Sequence, residues 1–227
     1  MALILTINTA FETAYIILSR NKEIIAEAQS SSQKDHASFL EPAIKKICTS
    51  QKINLKNIEA ISVINGPGSY TGLRVGLSSV KALCYALKKP LILLNTLDVM
   101  ACALKLQSPV KQENILFCPL IDARRMEVFT AVYDADLQEI VAPKAMILDE
   151  LSFKEELNNF SLICFGSGSN KWKFISRYPN VQFINEKIDM DKALAKLATG
   201  LYLTKNFANL AYAEPVYLKE FYSYIKI

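Results

Sequence analysis

The chain is short of the groups that run reactions. Of 227 residues only His36 is histidine, so one chain cannot build a His-based metal site or a Ser–His or Cys–His catalytic pair. Following a helix-capping Asp35, His36 reads as a surface or packing residue. Excess charge is lacking too. The balance of 26 basic and 22 acidic residues leaves +4, and the basic residues are dispersed apart from pairs such as Lys45-Lys46, Lys88-Lys89 and Arg124-Arg125. No basic–aromatic platform interleaves them, which argues against RNA binding as the main role. The five cysteines (Cys48, Cys84, Cys102, Cys118, Cys164) form no CxxC pair and sit in apolar runs. They read as buried thiols of a reducing compartment. No apolar run approaches the roughly 20 residues needed to span a bilayer. Met1–Ile7 is short, lacks a basic leader and reads as a first strand, not a signal peptide. A cytoplasmic protein without a membrane partner is the expectation.

The most informative segment runs from Asn65 to Leu77, NGPGSYTGLRVGL. An apolar run, Ile58–Ile64, leads into it and a long helical pattern follows, giving strand, tight turn, helix. Gly66 and Gly68 admit positive φ, Pro67 fixes its own φ, and Ser69 or Thr71 can cap the helix. Free N–H groups at such a helix start form a generic anion site. Upstream, Leu3–Asn8, Ala14–Ser19 and Glu23–Gln29 read as strands. A helix follows from His36, with Phe39, Leu40, Ala43, Ile44 and Ile47 as its stripe and Pro42 kinking it. Downstream come a helix to Leu87, a strand at Leu91–Leu94, a helix from Asp98 to Leu106 and a boundary at Gln107–Asn114.

The second half repeats this order: strands at Ile115–Asp122, Glu127–Tyr133 and Ile140–Ile147, a helix at Asp149–Asn158, and a strand at Leu162–Phe165. The turn Gly166–Asn170 then leads into a helical stretch holding Trp172 and Phe174, followed by a strand at Val181–Ile184 and a helix at Asp191–Leu203. Each half opens with a strand ending in a carboxamide or carboxylate (Asn8, Asp122) before a hairpin. Each later runs a strand into a glycine turn (Gly66-Pro-Gly68, Gly166-Ser-Gly168). Two tandem βββαβαβα subdomains, 1–107 and 108–227 with a C-terminal tail, make an α/β protein of the actin-like ATPase plan. Fold alone does not give function.

That plan uses a carboxylate at the first hairpin to hold hydrated Mg²⁺. Here the position is Asn8, a poor, uncharged ligand. Asp122 could accept a metal or water, but Arg124 and Arg125 beside it make a structural salt bridge an equal reading. Asn8, Gly66, Gly68, Asp122, Gly166 and Gly168 are therefore read as vestigial phosphate-loop positions, with no catalytic residue and no metal. An actin-fold ATPase or kinase with its own Mg-nucleotide site is the alternative. On the helix after the turn, Gly72, Gly76 and Ser79 share one face beside the stripe Leu73, Leu77, Val80, Cys84 and Leu87. Two helical glycines cost about 1 kcal/mol each, so something packs closely there: its own sheet, or another chain's helix.

Three motifs carry a family resemblance: Asn65–Gly76, Ile121–Val128 (IDARRMEV) and Ala213–Lys219 (AEPVYLK). Together they resemble the bacterial TsaB (YeaZ) family, and the resemblance runs from Leu3 to about Lys219, nearly the whole chain. Tyr70 stands where Phe is more usual, Lys219 where Arg is, and Asn8 where many relatives have Asp. The resemblance implies a non-catalytic scaffold or activator for threonylcarbamoyl transfer to N6 of the adenosine beside the tRNA anticodon. It implies binding to a TsaD-type catalytic paralogue and a TsaE-type ATPase, a homodimer when alone, and tRNA met indirectly through the complex. ATP or ADP at the partner interface is left open. The paralogue's HxxxH metal motif falls here on Thr96 and Met100, neither of which replaces a neutral imidazole. The metallopeptidase reading attached to this fold group lacks ligands for the same reason. The partner surface expected on the two helices comprises Phe39, Leu40, Ala43, Ile44, Gly72, Leu73, Gly76 and Val80.

Overall fold

A computed structural model describes residues 2–32, 35–108, 114–186 and 188–219. Most of the expected boundary at Gln107–Asn114 and the end of the C-terminal tail lie outside these residues. The elements are β1 (Leu3–Asn8), β2 (Ala14–Arg20), β3 (Glu23–Ser30), α1 (His36–Ser50), β4 (Ala60–Gly66), α2 (Tyr70–Leu87), β5 (Leu91–Asn95) and α3 (Thr96–Gln107). They continue with β6 (Ile115–Asp122), β7 (Glu127–Tyr133), β8 (Glu139–Ile147), α4 (Lys154–Leu157), β9 (Ser161–Phe165), α5 (Ser169–Lys173), β10 (Val181–Ile184) and α6 (Asp191–Leu203). The βββαβαβα order occurs twice, as the actin-like plan requires.

Each repeat builds one five-stranded mixed sheet, ordered β3-β2-β1-β4-β5 and β10-β9-β6-β7-β8. In each, the opening strand pairs antiparallel with its hairpin partner and parallel with the strand that leads into the glycine turn. β1, LILTIN, is buried throughout, as suits a central strand covered on both faces. Thr6 and Ser62, inside this layer, satisfy each other at 2.6 Å. The edge strand β3 is exposed or half-buried along its whole length and carries the exposed Glu23 and Glu27, charge that discourages edge pairing.

The described residues of 1–109 and 188–215 form one compact unit, and those of 110–187 and 216–219 the other. In the first, α1 and α2 cover one face of the sheet while α3 and α6 cover the other. Helix α6, which follows the second repeat's strands in sequence, thus packs with the first repeat's sheet, on β1, β3 and β5. Its Thr199 hydroxyl donates to the Asn21 carbonyl. The second unit is centred on Trp172, packed with Phe153, Leu116, Leu120, Val128 and Leu162. Among the described residues no helix is long and apolar enough to cross a membrane.

Local differences from the sequence reading have local causes. Ser69 caps α2, its Oγ accepting from Gly72 N at 3.3 Å, but Asp35 makes no side-chain cap on α1. There the Ser38 hydroxyl donates back to the Asp35 carbonyl. Helix α3 starts two residues early because the Asn95 side chain accepts from Leu97 N. The helix expected over Asp149–Asn158 is only Lys154–Leu157. Asp149 and Ser152 bond each other's backbone and side chains as a turn, and Phe153 takes φ 60, which interrupts a helix.

Candidate functional site

The residues that would cradle a phosphate lie where the sequence places them, at the carboxyl ends of β1, β4, β6 and β9. Each turn uses its two glycines differently. The first takes positive φ, 126° at Gly66 and 97° at Gly166. The second does not. Gly68 and Gly168 are glycine because the chain's own hairpin lies against them. A Cβ at Gly68 would sit 2.7 Å from the Ala10 carbonyl oxygen, and one at Gly168 would sit 2.7 Å from a Val128 methyl and 3.2 Å from Asp122 N. The expectation of positive φ at Gly68 is corrected accordingly.

The turns are closed from within. Ser69 N–H donates to the Ala10 carbonyl at 2.8 Å, and Gly168 N–H donates to the Leu120 carbonyl at 2.8 Å. Thr9 Oγ1 donates to the Gly72 carbonyl at 2.7 Å, and Thr96 Oγ1 to the Pro67 carbonyl at 2.6 Å. Asn8 is fully buried, and its Oδ1 accepts from Ala10 N–H at 3.0 Å. Asp122 does the same two residues on, Oδ1 accepting from Arg124 N–H at 2.6 Å. Both are Asx turns that shape their hairpins, a shared local device of the two repeats.

These residues do not fit a Mg-nucleotide. The first hairpin offers a buried neutral amide whose oxygen accepts from Ala10 N–H and whose Nδ2 has no hydrogen-bond partner. The second offers a carboxylate whose Oδ1 also receives Lys171 Nζ at 2.7 Å. Asp122 therefore has its salt bridge, but with Lys171 of α5, not with Arg124 or Arg125; Arg124 contributes only its backbone N–H. Burial would push the Asp122 carboxyl up. The Lys171 hydrogen bond, the Arg124 N–H and the Lys171 charge outweigh it and hold the carboxyl below its usual value. The bond's contribution to stability is therefore present at neutral pH and lost as pH falls through the lowered value. We expect Lys171→Ala to move the Asp122 titration, followed by carboxyl NMR, back up to the ordinary carboxylate range. An unmoved titration would mean that Lys171 does not hold it.

Thr96 and Met100 are both buried, and among the described residues no three His, Cys, Asp or Glu side chains gather as metal ligands. His36 is buried, its Nε2 3.0 Å from the Glu12 carbonyl, so it packs α1 against the β1–β2 hairpin. All five cysteines are free and buried. Burial pushes the Cys84 thiol up to about 12, and burial with the Cys118 thiol beside it raises Cys164. Such thiols stay protonated and inert.

The expected partner surface is largely spent inside the chain. Leu40, Ala43, Ile44, Leu73 and Val80 are core residues. A Cβ at Gly72 would fall on the Thr9 carbonyl oxygen and one at Gly76 on Thr9 Oγ1, both closer than the 3.0 Å that real Cβ atoms keep. The helical glycines admit the β1–β2 hairpin of the same chain. Of the eight residues only Phe39 is half-buried. Facing outward instead are Thr71, Arg74, Ser78, Ala82 and Tyr85 on α2. The sequence reading missed Thr9 and Ala10. The signal for them was two helical glycines four apart, which demanded a close neighbour. It also missed Lys81, whose Nζ donates to the Ala211 and Ala213 carbonyls and anchors the start of the C-terminal motif. Lys219, at the motif's end, pairs with Glu127.

Comparison with known proteins agrees with this architecture. The family model for TsaD, tRNA N6-adenosine threonylcarbamoyltransferase, matches residues 23–213. The tRNA threonylcarbamoyladenosine biosynthesis protein TsaB of Bacillus subtilis is 31% identical over 157 residues, 67% of this chain and 66% of that protein. The chain thus spans about two thirds of that relative's length. The protein of the same name from Escherichia coli is 25% identical over 224 residues, covering 95% of this chain and 94% of that one. The crystal structure of YeaZ from Pseudomonas aeruginosa superposes with a TM-score of 0.81 at 19% identity, covering 96% of this chain and all of that one. With its three motifs and its duplicated fold, the chain belongs to the TsaB (YeaZ) family, related to TsaD.

Proposed function

We propose that the chain is a non-catalytic subunit in the biosynthesis of threonylcarbamoyladenosine in tRNA, working in the cytoplasm by binding a TsaD-type catalytic paralogue that a TsaE-type ATPase joins. The observation that carries this reading is the closure of both phosphate turns by the chain's own hairpins. Ala10 fills the first and the end of β6 fills the second, and the two hairpin residues at the metal position, Asn8 and Asp122, are committed to Asx turns. The framework for holding a phosphate is present while its space is taken. What remains for function is surface.

On this reading the docking face is the outward side of α1 and α2, not their glycine face. Ser78 and Ala82 lie one turn apart and both are exposed, so a facing helix can approach closely. The same face would pair two copies when the paralogue is absent. Ser78→Arg combined with Ala82→Arg places two long cations there without touching the core. We expect at least about a 30-fold loss in affinity for the paralogue, in line with a central interface disruption, with an unchanged melting temperature. Reconstituted tRNA modification should fall to the level seen when the chain is omitted. Full modification without the chain, or ATP turnover by the pure chain that Asp122→Ala abolishes, would overturn the proposal.

A further inference from the structure

The tip of the β6–β7 hairpin is built against its own sterics. Arg124 and Arg125 are consecutive, both exposed, and both left-handed, at φ 71° and 47°. That region crowds Cβ against a carbonyl and normally selects glycine or asparagine at hairpin turns. Two such residues in succession occur nowhere else among the described residues, and strained backbone clusters at functional sites.

The charges around the tip are already balanced. Asp122 holds Lys171 at 2.7 Å. The Glu127 carboxylate pairs with Lys219, and its carbonyl accepts from Lys171 Nζ at 2.9 Å. Among the described residues neither arginine guanidinium has an ion-pair or hydrogen-bond partner. Two planar, permanently charged forks therefore stand next to each other, on Cα atoms about 3.8 Å apart, with nothing of their own to bind. Such forks match phosphate oxygens bidentately.

We infer that the Arg124–Arg125 tip contacts the phosphodiester backbone of RNA, an inference that rests on the proposed place of the chain in a tRNA-modifying assembly. A protein partner of acidic surface is disfavoured by the surroundings. Met126, at 38% exposure, and Ile147, opposite Glu127 on β8, are the exposed large apolar side chains beside the tip among the described residues, short of the buried apolar patch on which protein interfaces centre. Backbone phosphate contacts need no such patch, and they position a nucleic acid without reading its sequence. Two contacts also suit a chain with a net charge of only +4: they orient an RNA held mainly by other subunits.

The test uses the full chain assembled with its catalytic paralogue and an unmodified tRNA transcript, with affinity measured across a potassium chloride series. Arg124→Asn with Arg125→Gly removes both charges and supplies residues at ease in the left-handed region, so the melting temperature should hold or rise. We expect tRNA affinity to fall about ten-fold or more at low salt. The slope of log affinity against log salt should become shallower by about 1 to 2, one phosphate contact per arginine. Arg124→Lys with Arg125→Lys should recover most of the slope. An unchanged affinity and slope in the Asn/Gly variant would overturn the inference, as would lost binding to the paralogue with tRNA affinity retained. The two proposals fail separately. Modification that depends on the chain, with an unmoved salt slope, removes only the phosphate contact. A moved slope with modification that never needs the chain removes only the subunit role.

Discussion

Replacing Gly72 with alanine is expected to cost more than about 4 kcal/mol of folding stability, a loss reserved for a short set of structural injuries and a large share of the 5–15 kcal/mol typical of a domain. The cause is a backbone collision. Gly72 lies on the α2 face that meets the β1–β2 hairpin, and a Cβ there lands on the Thr9 carbonyl oxygen. A carbonyl cannot rotate away. Moving it would pull on the Asn8–Ala10 turn and on the Ala10 carbonyl that accepts from Ser69 N–H. Gly76→Ala meets the Thr9 hydroxyl instead, a side chain with another rotamer. Its cost should be about that of the lost Thr9–Gly72 hydrogen bond, 1–3 kcal/mol, and Thr9→Ala in the same chain should remove most of the further penalty. Gly200 is the control. It lies on the exposed side of α6 with nothing within 4 Å of a built Cβ, so Gly200→Ala should stabilise by about 0.5–1 kcal/mol. Urea unfolding of the set decides the matter. A Gly72→Ala chain within 1 kcal/mol of the parent would mean that the hairpin does not fill the turn, and the argument for a closed phosphate site would go with it.

Strand–turn–helix order is written in local pattern, so β1, α2, β10 and α6 fall at or within a residue of their expected limits, and the duplication followed from order alone. The partner of a buried face is not local. Leu40, Ala43 and Ile44 have the apolar spacing of a helix face, and that spacing is the same whether the face meets its own sheet or another chain. What the α2 glycine face meets within the chain is shown only by the tertiary position of Thr9, 63 residues before Gly72 in sequence. A salt bridge is one of the two readings that the sequence allows for Asp122, and its partner is not legible there. Arg124 and Arg125 are neighbours in sequence, while Lys171 arrives from α5 across the parallel β6–β9 pair. Both arginines are left-handed, at φ 71° and 47°, and no composition or spacing signal encodes that.

Trp172→Ala is expected to remove about 3–5 kcal/mol, the cost of truncating a large aromatic in a close-packed core. Trp172 is completely buried. Its ring stacks edge-on against Phe153 at 4.9 Å and Phe183 at 5.8 Å between centroids. Its Nε1–H donates to the Asp149 carbonyl at 3.0 Å, tying α5 to the turn that precedes α4. Helix α5 is only five residues long, too short to persist on its own hydrogen bonds, so the tryptophan anchor is what holds it. Lys171, the neighbouring residue on that helix, is what holds Asp122. Loss of the ring should therefore appear at two places. The unfolding transition moves to lower denaturant, and the Asp122 carboxyl titrates closer to its ordinary range in the folded variant. Trp172→Phe separates the contributions. The phenyl ring retains most of the packing and leaves the Asp149 carbonyl without its donor, so stability should fall by about 1–3 kcal/mol while Asp122 keeps its low value. If Trp172→Ala destabilised the chain yet left the Asp122 titration where it was, the Lys171–Asp122 bond would not depend on the anchored helix, and the hairpin tip carrying Arg124 and Arg125 would be set by its backbone bonds alone.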